Sequence, residues 1–222
     1  MKFDAILFDC DGVLVDSEGL TNAVLRDMLQ ELGWTLTPQE CMARFIGKTL
    51  REERLTIEAH TGQPFSQAWL QDFYKRRDQA LKASLEIVPG AHEAVAAAQA
   101  YAPLGIACAS GADRLKVEMV LTKVGLMPFF NGHIFSGHEM PRSKPAPDVY
   151  LAAARHLNAP PERCLVIEDS VPGITAGVAA GATVWAYCPA TAHQSAQSLR
   201  EAGAQALFAH MADLPALLSR SL

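Results

Sequence analysis

The hydrophobic positions follow two different patterns, and the change between them divides the chain. The apolar run FDAILFD (residues 3–9) is short and is followed by acids and a glycine, which predicts a buried strand. From residue 17 to residue 86 apolar positions recur at helical spacing, as between Val24 and Leu32, where Gly33 follows as a stop. This segment has no convincing strand signal, so we predict an all-helical unit.

Beyond the helical segment, short apolar runs alternate with amphipathic stretches. This alternation of strands and helices predicts a doubly wound, Rossmann-like parallel sheet with helices on both faces. The first strand belongs to the same sheet. We therefore expect an α/β core of residues 1–16 and 87–222, with an inserted helical cap of residues 17–86. The later predicted strands are LGIACAS, HIFSG, CLVIED and ATVWAYC.

Composition excludes several classes of partner. The 222 residues carry a net charge of −5 and no basic stripe, which argues against nucleic acid. No apolar run approaches membrane-spanning length, and the first residues carry acids where a signal peptide needs an unbroken apolar stretch. The 5 cysteines form no C-x-x-C pair, which argues against a zinc site or a disulfide framework. We expect a reduced, cytoplasmic monomer without a membrane partner.

Several polar residues lie just beyond the predicted strands, at the edge where parallel sheets bind ligands. Crowded carboxylates would repel each other unless a cation is bound, and oxygen ligands without His or Cys suit Mg²⁺. A metal ion, a lysine and exposed N–H groups together would bind a phosphoryl group. The residues expected to meet there are Asp9, Asp11, Ser110, Gly111, Lys144, Glu168 and Asp169.

These groups predict phosphoryl transfer through a covalent intermediate. Asp9 is expected to attack phosphorus, and Asp11 to protonate the leaving oxygen and then activate water. The Ser110 hydroxyl and the N–H groups at Gly111 would hold the phosphoryl oxygens, while Lys144 neutralises charge on the nucleophile and the phosphate. The expected metal ligands are Asp9, Asp169 and, directly or through water, Glu168.

Four segments together resemble the motifs of the haloacid dehalogenase superfamily: DCDGVLVDSE, ASG, SKPAPDVY and VIEDSVPGITAGVAAG. They occur in the right order and cover nearly the whole chain. The resemblance is to the subgroup with a helical cap, which includes β-phosphoglucomutase-like enzymes and sugar-phosphate phosphatases. It implies metal coordination by the Asp11 carbonyl, cap hinges near residues 15–18 and 87–90 and, as in many relatives, a cis Lys144–Pro145 bond.

An Mg²⁺-dependent phosphatase acting on a sugar phosphate or sugar-acid phosphate is the leading hypothesis. A β-phosphoglucomutase-like phosphomutase is the alternative, although those mutases carry a histidine where this chain has Thr21. A phosphonatase would need a cap lysine, for which Lys48 is a weak candidate, and Asp11 argues against a dehalogenase. The intact set of acids and lysine argues against a non-catalytic phosphometabolite-binding module.

Substrate choice is expected to reside in the cap. Cationic side chains there suggest a substrate with hydroxyls or a carboxylate beyond the phosphate. The run at residues 75–77 is interpreted as a solvated helix face, with Arg77 contacting a second anionic group as the alternative. The candidate specificity residues are Glu18, Thr21, Asn22, Phe45, Gly47, Lys48, Arg51 and Arg77.

Three further groups have structural interpretations. Cys10 is predicted to be a packing residue, because no arginine follows it and neighbouring acids would raise the pKa of its thiol. Asp16 or Ser17 is predicted to cap the first cap helix. The glycines at four-residue spacing near the fourth motif are predicted to allow close helix–sheet packing; these are Gly173, Gly177 and Gly181.

Overall fold

The computed structural model describes residues 3–46 and 48–220, and the chain divides into two compact units. The α/β unit consists of residues 1–16 and 86–222, and the helical unit of residues 17–85. Glu86 falls with the α/β unit because its backbone pairs with Asp16.

Within the described residues, the α/β unit contains a parallel sheet of six strands. Its spatial order is β5-β4-β1-β6-β7-β8. The predicted parallel sheet is confirmed, although its last strand was not predicted. The strands are β1 (Ala5–Phe8), β4 (Ile106–Ser110), β5 (Ile134–Ser136), β6 (Cys164–Glu168), β7 (Thr183–Tyr187) and β8 (Ala206–Phe208).

Both faces of β1 are buried, which explains why its sequence is continuously apolar. Leu7 belongs to a core cluster that includes Tyr150 and Ile174, whereas Phe8 packs edge-to-face on Phe130. Successive strand residues point to opposite faces, so these contacts place helices on both sides of the sheet. The helices of this unit are α5 (Ala91–Tyr101), α6 (Arg114–Lys123), α7 (Met127–Phe130), α8 (Asp148–His156), α9 (Val171–Ala179), α10 (Ala196–Glu201) and α11 (Leu214–Arg220).

A short antiparallel ribbon lies where the chain leaves and rejoins the α/β unit. It consists of β2 (Val15–Asp16) and β3 (Glu86–Ile87), with Val15 opposite Ile87 and Asp16 opposite Glu86. Strands of two residues carry no periodic signal, so the sequence does not predict them.

The helical unit has its own apolar core, which includes Leu29, Trp34, Phe45 and Leu70. Its described residues, 17–46 and 48–85, contain no strand, in agreement with the prediction. Gly47 lies outside the described residues. The helices are α1 (Glu18–Glu31), α2 (Pro38–Phe45), α3 (Arg54–Thr61) and α4 (Gln67–Ser84).

The starts of the first two helices differ in how they are capped. At α2, the Thr37 side chain accepts from the backbone N–H of Glu40, whose carboxylate accepts from the Thr37 N–H in return. Ser17 occupies the N-cap position of α1, but its φ and ψ of −101° and −18° are helical and its side chain makes no capping bond. The predicted cap is therefore wrong, because a capping residue needs an extended backbone.

None of the described helices has the length and apolar character that crossing a bilayer would require.

Candidate active site

The ends of β1 and β6 bring three of the predicted acids together. Asp9 directly follows β1 and its N–H donates to the Ile167 carbonyl at 3.0 Å, which fixes the two strand ends side by side. Glu168 is the last residue of β6, and Asp169 follows it. One carboxylate oxygen from each of Asp9, Glu168 and Asp169 lies within 4.8 Å of the others. Oxygen atoms this close suit a divalent cation.

Lys144 joins two of these acids. Its Nζ donates to Oδ1 of Asp9 at 2.6 Å and to Oε1 of Glu168 at 2.8 Å. The bond from Lys144 to Pro145 is cis, as the family resemblance implied. Burial lowers the pKa of Lys144, but the charges of Asp9 and Glu168 outweigh burial and hold the pKa well above its ordinary value. Lys144 therefore remains an ammonium group between two carboxylates.

Asp9 and Glu168 respond differently to the same surroundings. Burial raises the pKa of Asp9 to about 7, against the opposing effect of Lys144 and with a further upward contribution from Glu168. Burial also raises the pKa of Glu168, but Lys144 and hydrogen bonds from Ser170 lower it by more, so the net shift is downward. Without a bound cation, Asp9 is thus the carboxylate that takes up a proton near neutral pH.

Glu168 is surrounded by hydrogen-bond donors. Its Oε1 accepts from Lys144 and, at 2.9 Å, from the hydroxyl of Tyr150. Its Oε2 accepts from the N–H of Asp169 at 2.9 Å, and from the N–H and hydroxyl of Ser170 at 3.0 and 2.9 Å. Tyr150 is fully buried, and its ring also lies 4.7 Å from Lys144 Nζ. Sequence reasoning missed Tyr150, because one tyrosine on an amphipathic helix is indistinguishable from a core residue.

The three glycines near the fourth motif do different things. A Cβ at Gly173 would collide with the carboxylate of Glu168, so this glycine makes room for the site. A Cβ at Gly177 would lie 2.8 Å from a methyl group of Val184, which agrees with the predicted helix–sheet packing. Gly181 follows α9 with a φ of +87°, where it ends the helix. The packing prediction therefore agrees with Gly173, which lies against Glu168 of β6, and with Gly177, but it is wrong for Gly181.

Gly12 is required for two reasons. Its φ of +79° lies in the left-handed region that only glycine adopts easily, as the predicted tight turn needs. A Cβ there would also collide with the carboxylate of Asp169. The turn after β1 and the end of β6 are thus in close contact.

The second acid of the first motif has a different partner. Lys116, on α6, donates through Nζ to both carboxylate oxygens of Asp11, each at 2.7 Å. Sequence reasoning missed Lys116 as well. A signal was present, because Lys116 shares the buried face of α6 with Val117, Val120 and Leu121. A lysine on the buried face at the start of a helix indicates a specific anionic partner.

Cys10, between the two acids, is fully buried. A hydrogen bond with Cys108 and burial both raise the pKa of its thiol well above the ordinary value, and the charges of Asp11 and Asp9 add to this. The predicted packing role is in agreement with these contacts, since a thiol of this kind is a poor nucleophile.

The loop after β4 is shaped by two serines. The Ser110 side chain accepts from the N–H of Ala112 at 3.0 Å, which turns the chain through Gly111. From β5, the fully buried Ser136 donates to the carbonyl of Ala112 at 2.6 Å. This backbone turn at the sheet edge is where phosphate binding was predicted; Ser136 supports it but was not predicted.

The predicted specificity residues lie in the helical unit. Lys48 forms an ion pair with Glu53 at 2.8 Å, and Arg51 donates to the side chain of Gln67 at 3.3 Å.

Glu18 begins α1, Asn22 is buried on the same helix, and Phe45 belongs to the apolar core. The Thr21 hydroxyl has no hydrogen-bond partner among the residues described. Gly47, also predicted, is not among those residues.

Arg77 is buried, so the interpretation of residues 75–77 as a solvated face is wrong for this residue. Its guanidinium group donates to Asp78 at 2.7 Å and lies 4.8 Å from the centre of the Tyr74 ring. The long aliphatic part of arginine permits this burial while the charge remains compensated.

The fold and the edge of acids and lysines define an α/β enzyme with a carboxylate-lined site at the ends of parallel strands. A model of haloacid dehalogenase-like hydrolases matches residues 3–181. The chain belongs to that family and is one of its hydrolases.

Relatives and solved structures agree with this membership. The chain is 31% identical to the 6-phosphogluconate phosphatase of Escherichia coli K12 over 188 residues, covering 84% of this chain and 83% of the relative. It is 33% identical to hexitol phosphatase B of the same organism, over 79% of each chain. A hydrolase of this family from Deinococcus radiodurans, with bound phosphate and sodium, has a TM-score of 0.81 and 33% identity, covering 99% of this chain and 96% of that one.

Proposed function

We propose that this protein is an Mg²⁺-dependent phosphatase that hydrolyses a sugar phosphate or a sugar-acid phosphate through an aspartyl-phosphate on Asp9. The observation that carries the proposal is the bridge from Lys144 to Asp9 and Glu168 at the sheet edge, which keeps a buried carboxylate beside a permanent positive charge. The names of the two Escherichia coli relatives support the substrate class.

The metal would be held by the side chains of Asp9 and Asp169 and by the backbone carbonyl of Asp11. Each oxygen of Glu168 already accepts at least two hydrogen bonds, so we assign Glu168 to contact through water rather than direct ligation. A bound Mg²⁺ would neutralise charge on the nucleophile and on the phosphoryl oxygens.

The chain's own groups divide the reaction into two steps. Asp9 forms a bond to phosphorus while the ester bond breaks, and Asp11 gives its proton to the leaving oxygen. Asp11 then takes a proton from water, whose oxygen bonds to phosphorus as the bond to Asp9 breaks, and phosphate is released. Lys144, Ser110 and the N–H groups at Gly111 would stabilise the phosphoryl charge in both steps.

A phosphomutase is the second candidate function, because the same nucleophile and acid would serve it. Thr21 in place of the mutase histidine weighs against it. Conversion of a hexose 1-phosphate to the 6-phosphate, primed by the bisphosphate, would favour the mutase. A monomeric state and a cytoplasmic location stay predictions.

The test is release of inorganic phosphate from some tens of phosphorylated metabolites, with Mg²⁺ and with excess EDTA. We expect turnover of sugar or sugar-acid phosphates only with the metal. Asp9→Asn should abolish turnover and keep the circular dichroism spectrum, while Asp213→Asn, at an exposed position, should match the wild type. Full turnover by Asp9→Asn would refute the mechanism, and turnover of none of the esters would refute the function.

A further inference from the structure

Lys116 is a buried lysine that the reaction scheme above does not use. Its side chain is 7% exposed, and both of its strong contacts go to one carboxylate, that of Asp11. Lysine is rarely buried unless it is paired, because removing an ammonium group from water is unfavourable. The pair therefore needs a reason beyond the folding of α6.

The backbone around Lys116 is anchored at several points. Lys116 is the third residue of α6, and its N–H donates at 2.9 Å to the side chain of Asp113, the N-cap residue. Arg114 donates to Glu139 at 2.6 and 2.7 Å and to the Ile134 carbonyl at 2.9 Å, which joins the start of α6 to β5 and the turn that follows it. The position of the Lys116 Cα is thus set by the fold.

The two acids of the first motif have separate lysines. Lys144 Nζ donates to Asp9 and Glu168, whereas among residues 3–46 and 48–220 the ammonium group of Lys116 pairs with Asp11 alone. Asp11 follows the strand in a turn, and its side chain is 23% exposed, so packing alone does not determine its orientation. An ammonium group that donates to both oxygens supplies that orientation. When one carboxylate oxygen of Asp11 gives a proton to a leaving group, the other oxygen would still accept a hydrogen bond from Lys116 Nζ.

We propose that Lys116 is a positioning residue that orients the Asp11 carboxylate for its proton transfers. The proposal rests on the proposed phosphatase function. Because Lys116 would act through Asp11, substitution of Lys116 should slow the steps in which Asp11 transfers a proton. Steps that need no proton transfer by Asp11 should be nearly unchanged.

The leaving group distinguishes these steps. Release of p-nitrophenolate needs almost no protonation, whereas release of an alkoxide from a sugar phosphate does. In pre-steady-state measurements of first-product formation, Lys116→Met should slow the sugar ester roughly 10- to 100-fold and the nitrophenyl ester less than about 3-fold. Lys116→Arg should restore part of the loss. Lys123→Met, at an exposed position on the same helix, is the control.

A double-mutant cycle tests whether Lys116 acts through Asp11. In the Asp11→Asn background, Lys116→Met should have no further effect on first-product formation from the sugar ester, the substrate on which Lys116→Met alone has its large effect, because the group that it orients is changed. Additive losses, or equal losses for both esters, would overturn the proposal and indicate direct contact with the phosphate. A crystal structure of metal-free Lys116→Met should contain Asp11 in a new or divided orientation, and an unchanged Asp11 would also overturn it.

These outcomes separate the two proposals. Wild-type protein that releases product from neither ester would refute the phosphatase function, in which case the orientation of Asp11 in the variant crystal still tests the contact. Wild-type turnover together with an unaffected Lys116→Met variant would refute the role of Lys116 alone.

Discussion

Two buried lysines at the sheet edge and two cations of the helical unit bond to carboxylates at very different distances along the chain, although Arg76 of the helical unit also pairs with Glu31, 45 positions away. At the sheet edge, Lys144 bonds to Asp9 across 135 residues, and Lys116 to Asp11 across 105. In the helical unit, Lys48 pairs with a residue 5 positions away, and Arg77 donates to its immediate neighbour. The edge pairs exist only when the whole α/β unit has folded, whereas these helical-unit pairs can form locally.

This difference predicts that substitutions of the edge charges should lower both activity and stability, whereas substitutions of the exposed local pairs should change stability little. Changing an edge charge leaves another charge buried and unpaired, which is strongly destabilising. Changing an exposed local pair leaves both groups in water, where the interaction contributes little. Substitutions in the two kinds of pair should therefore differ widely in their effects on turnover and stability.

Lys144→Met should have the largest effect, because it leaves Asp9 and Glu168 facing each other without a cation. We expect turnover to fall by about 1,000-fold or more. The free energy of unfolding should fall by about 3–5 kcal/mol at neutral pH without metal. Steady-state kinetics and urea unfolding measure the two quantities, with Lys123→Met as the exposed control. A loss of turnover below about tenfold would contradict the role of Lys144.

Mg²⁺ binding should weaken as the pH falls below about 7, the pKa of Asp9 in the metal-free protein. The metal needs the carboxylate, so a proton competes with it, and the affinity should fall by up to about tenfold per pH unit. Calorimetry at pH 6 in two buffers of different ionisation enthalpy should detect about one proton released per metal bound. Affinity that is flat between pH 5 and pH 8 would contradict the prediction.

The same shift has a defined sign for folding. Because the pKa of Asp9 is raised from its ordinary value of 3.8 to about 7, the folded metal-free protein holds the extra proton between these pH values. The contribution of Asp9 to stability therefore falls as the pH rises from about 4 to about 7. In Asp9→Asn this contribution should disappear, which thermal unfolding at several pH values would measure against the wild type.

Tyr150→Phe should have an intermediate effect. It removes one donor to Oε1 of Glu168 but keeps the aromatic ring beside Lys144. We expect a loss of about 1–2 kcal/mol in the free energy of unfolding, since Lys144 still donates to the same oxygen. Turnover should fall severalfold, far less than in Lys144→Met. Chemical denaturation and steady-state kinetics of Tyr150→Phe and Lys144→Met, measured side by side, check this. Equal losses of stability or turnover in the two variants would refute the expected order.

Glu53→Gln should have the smallest effect. It breaks the ion pair between Lys48, whose side chain is 48% exposed, and Glu53, whose side chain is 14% exposed, so the free energy of unfolding should fall by roughly 1 kcal/mol or less. If Lys48 contacts the substrate, KM for an acid sugar phosphate should shift while kcat stays constant. A large change in kcat would show that the helical unit's charges serve the chemical step, contrary to the contrast between the two units.

The parts of the fold that sequence predicts are those in which local pattern and tertiary role coincide. Strand β1 is continuously apolar, β6 is apolar up to Glu168, and both are buried on both faces. Helix α2 begins at the Thr37–Pro38 signal. The two-residue strands β2 and β3 have no such pattern, because the backbone of a distant segment defines them. The last strand, β8, also lacks a periodic apolar pattern, because it has three residues and only Phe208 is buried.

In the candidate site, sequence predicts residues whose side-chain type indicates their chemistry. Acids after strands and a lysine in a proline-rich loop are of this kind. Tyr150 and Ser136 have roles that depend on which atoms they contact in the folded unit, which a single sequence does not contain. For Lys116, its place on the buried face of α6 indicates an anionic partner but not which acid that partner is. Gly173 illustrates the same limit, because its spacing indicated helix–sheet packing but not that the strand residue beside it is Glu168 of the site.

The ribbon of β2 and β3 has a consequence for how the chain is assembled. The Cα atoms of Asp16 and Glu86 lie opposite each other in the ribbon, about 5 Å apart. The backbone pairing of β2 with β3 therefore holds the two ends of the helical insertion together. A two-residue turn would close the same ribbon as a hairpin, since short turns connect antiparallel strands without rearrangement. Along the chain, the 69 residues Ser17–Leu85 connect β2 to β3, as the loop of a hairpin would. We therefore expect a chain in which a two-residue turn replaces this segment still to form the six-stranded sheet.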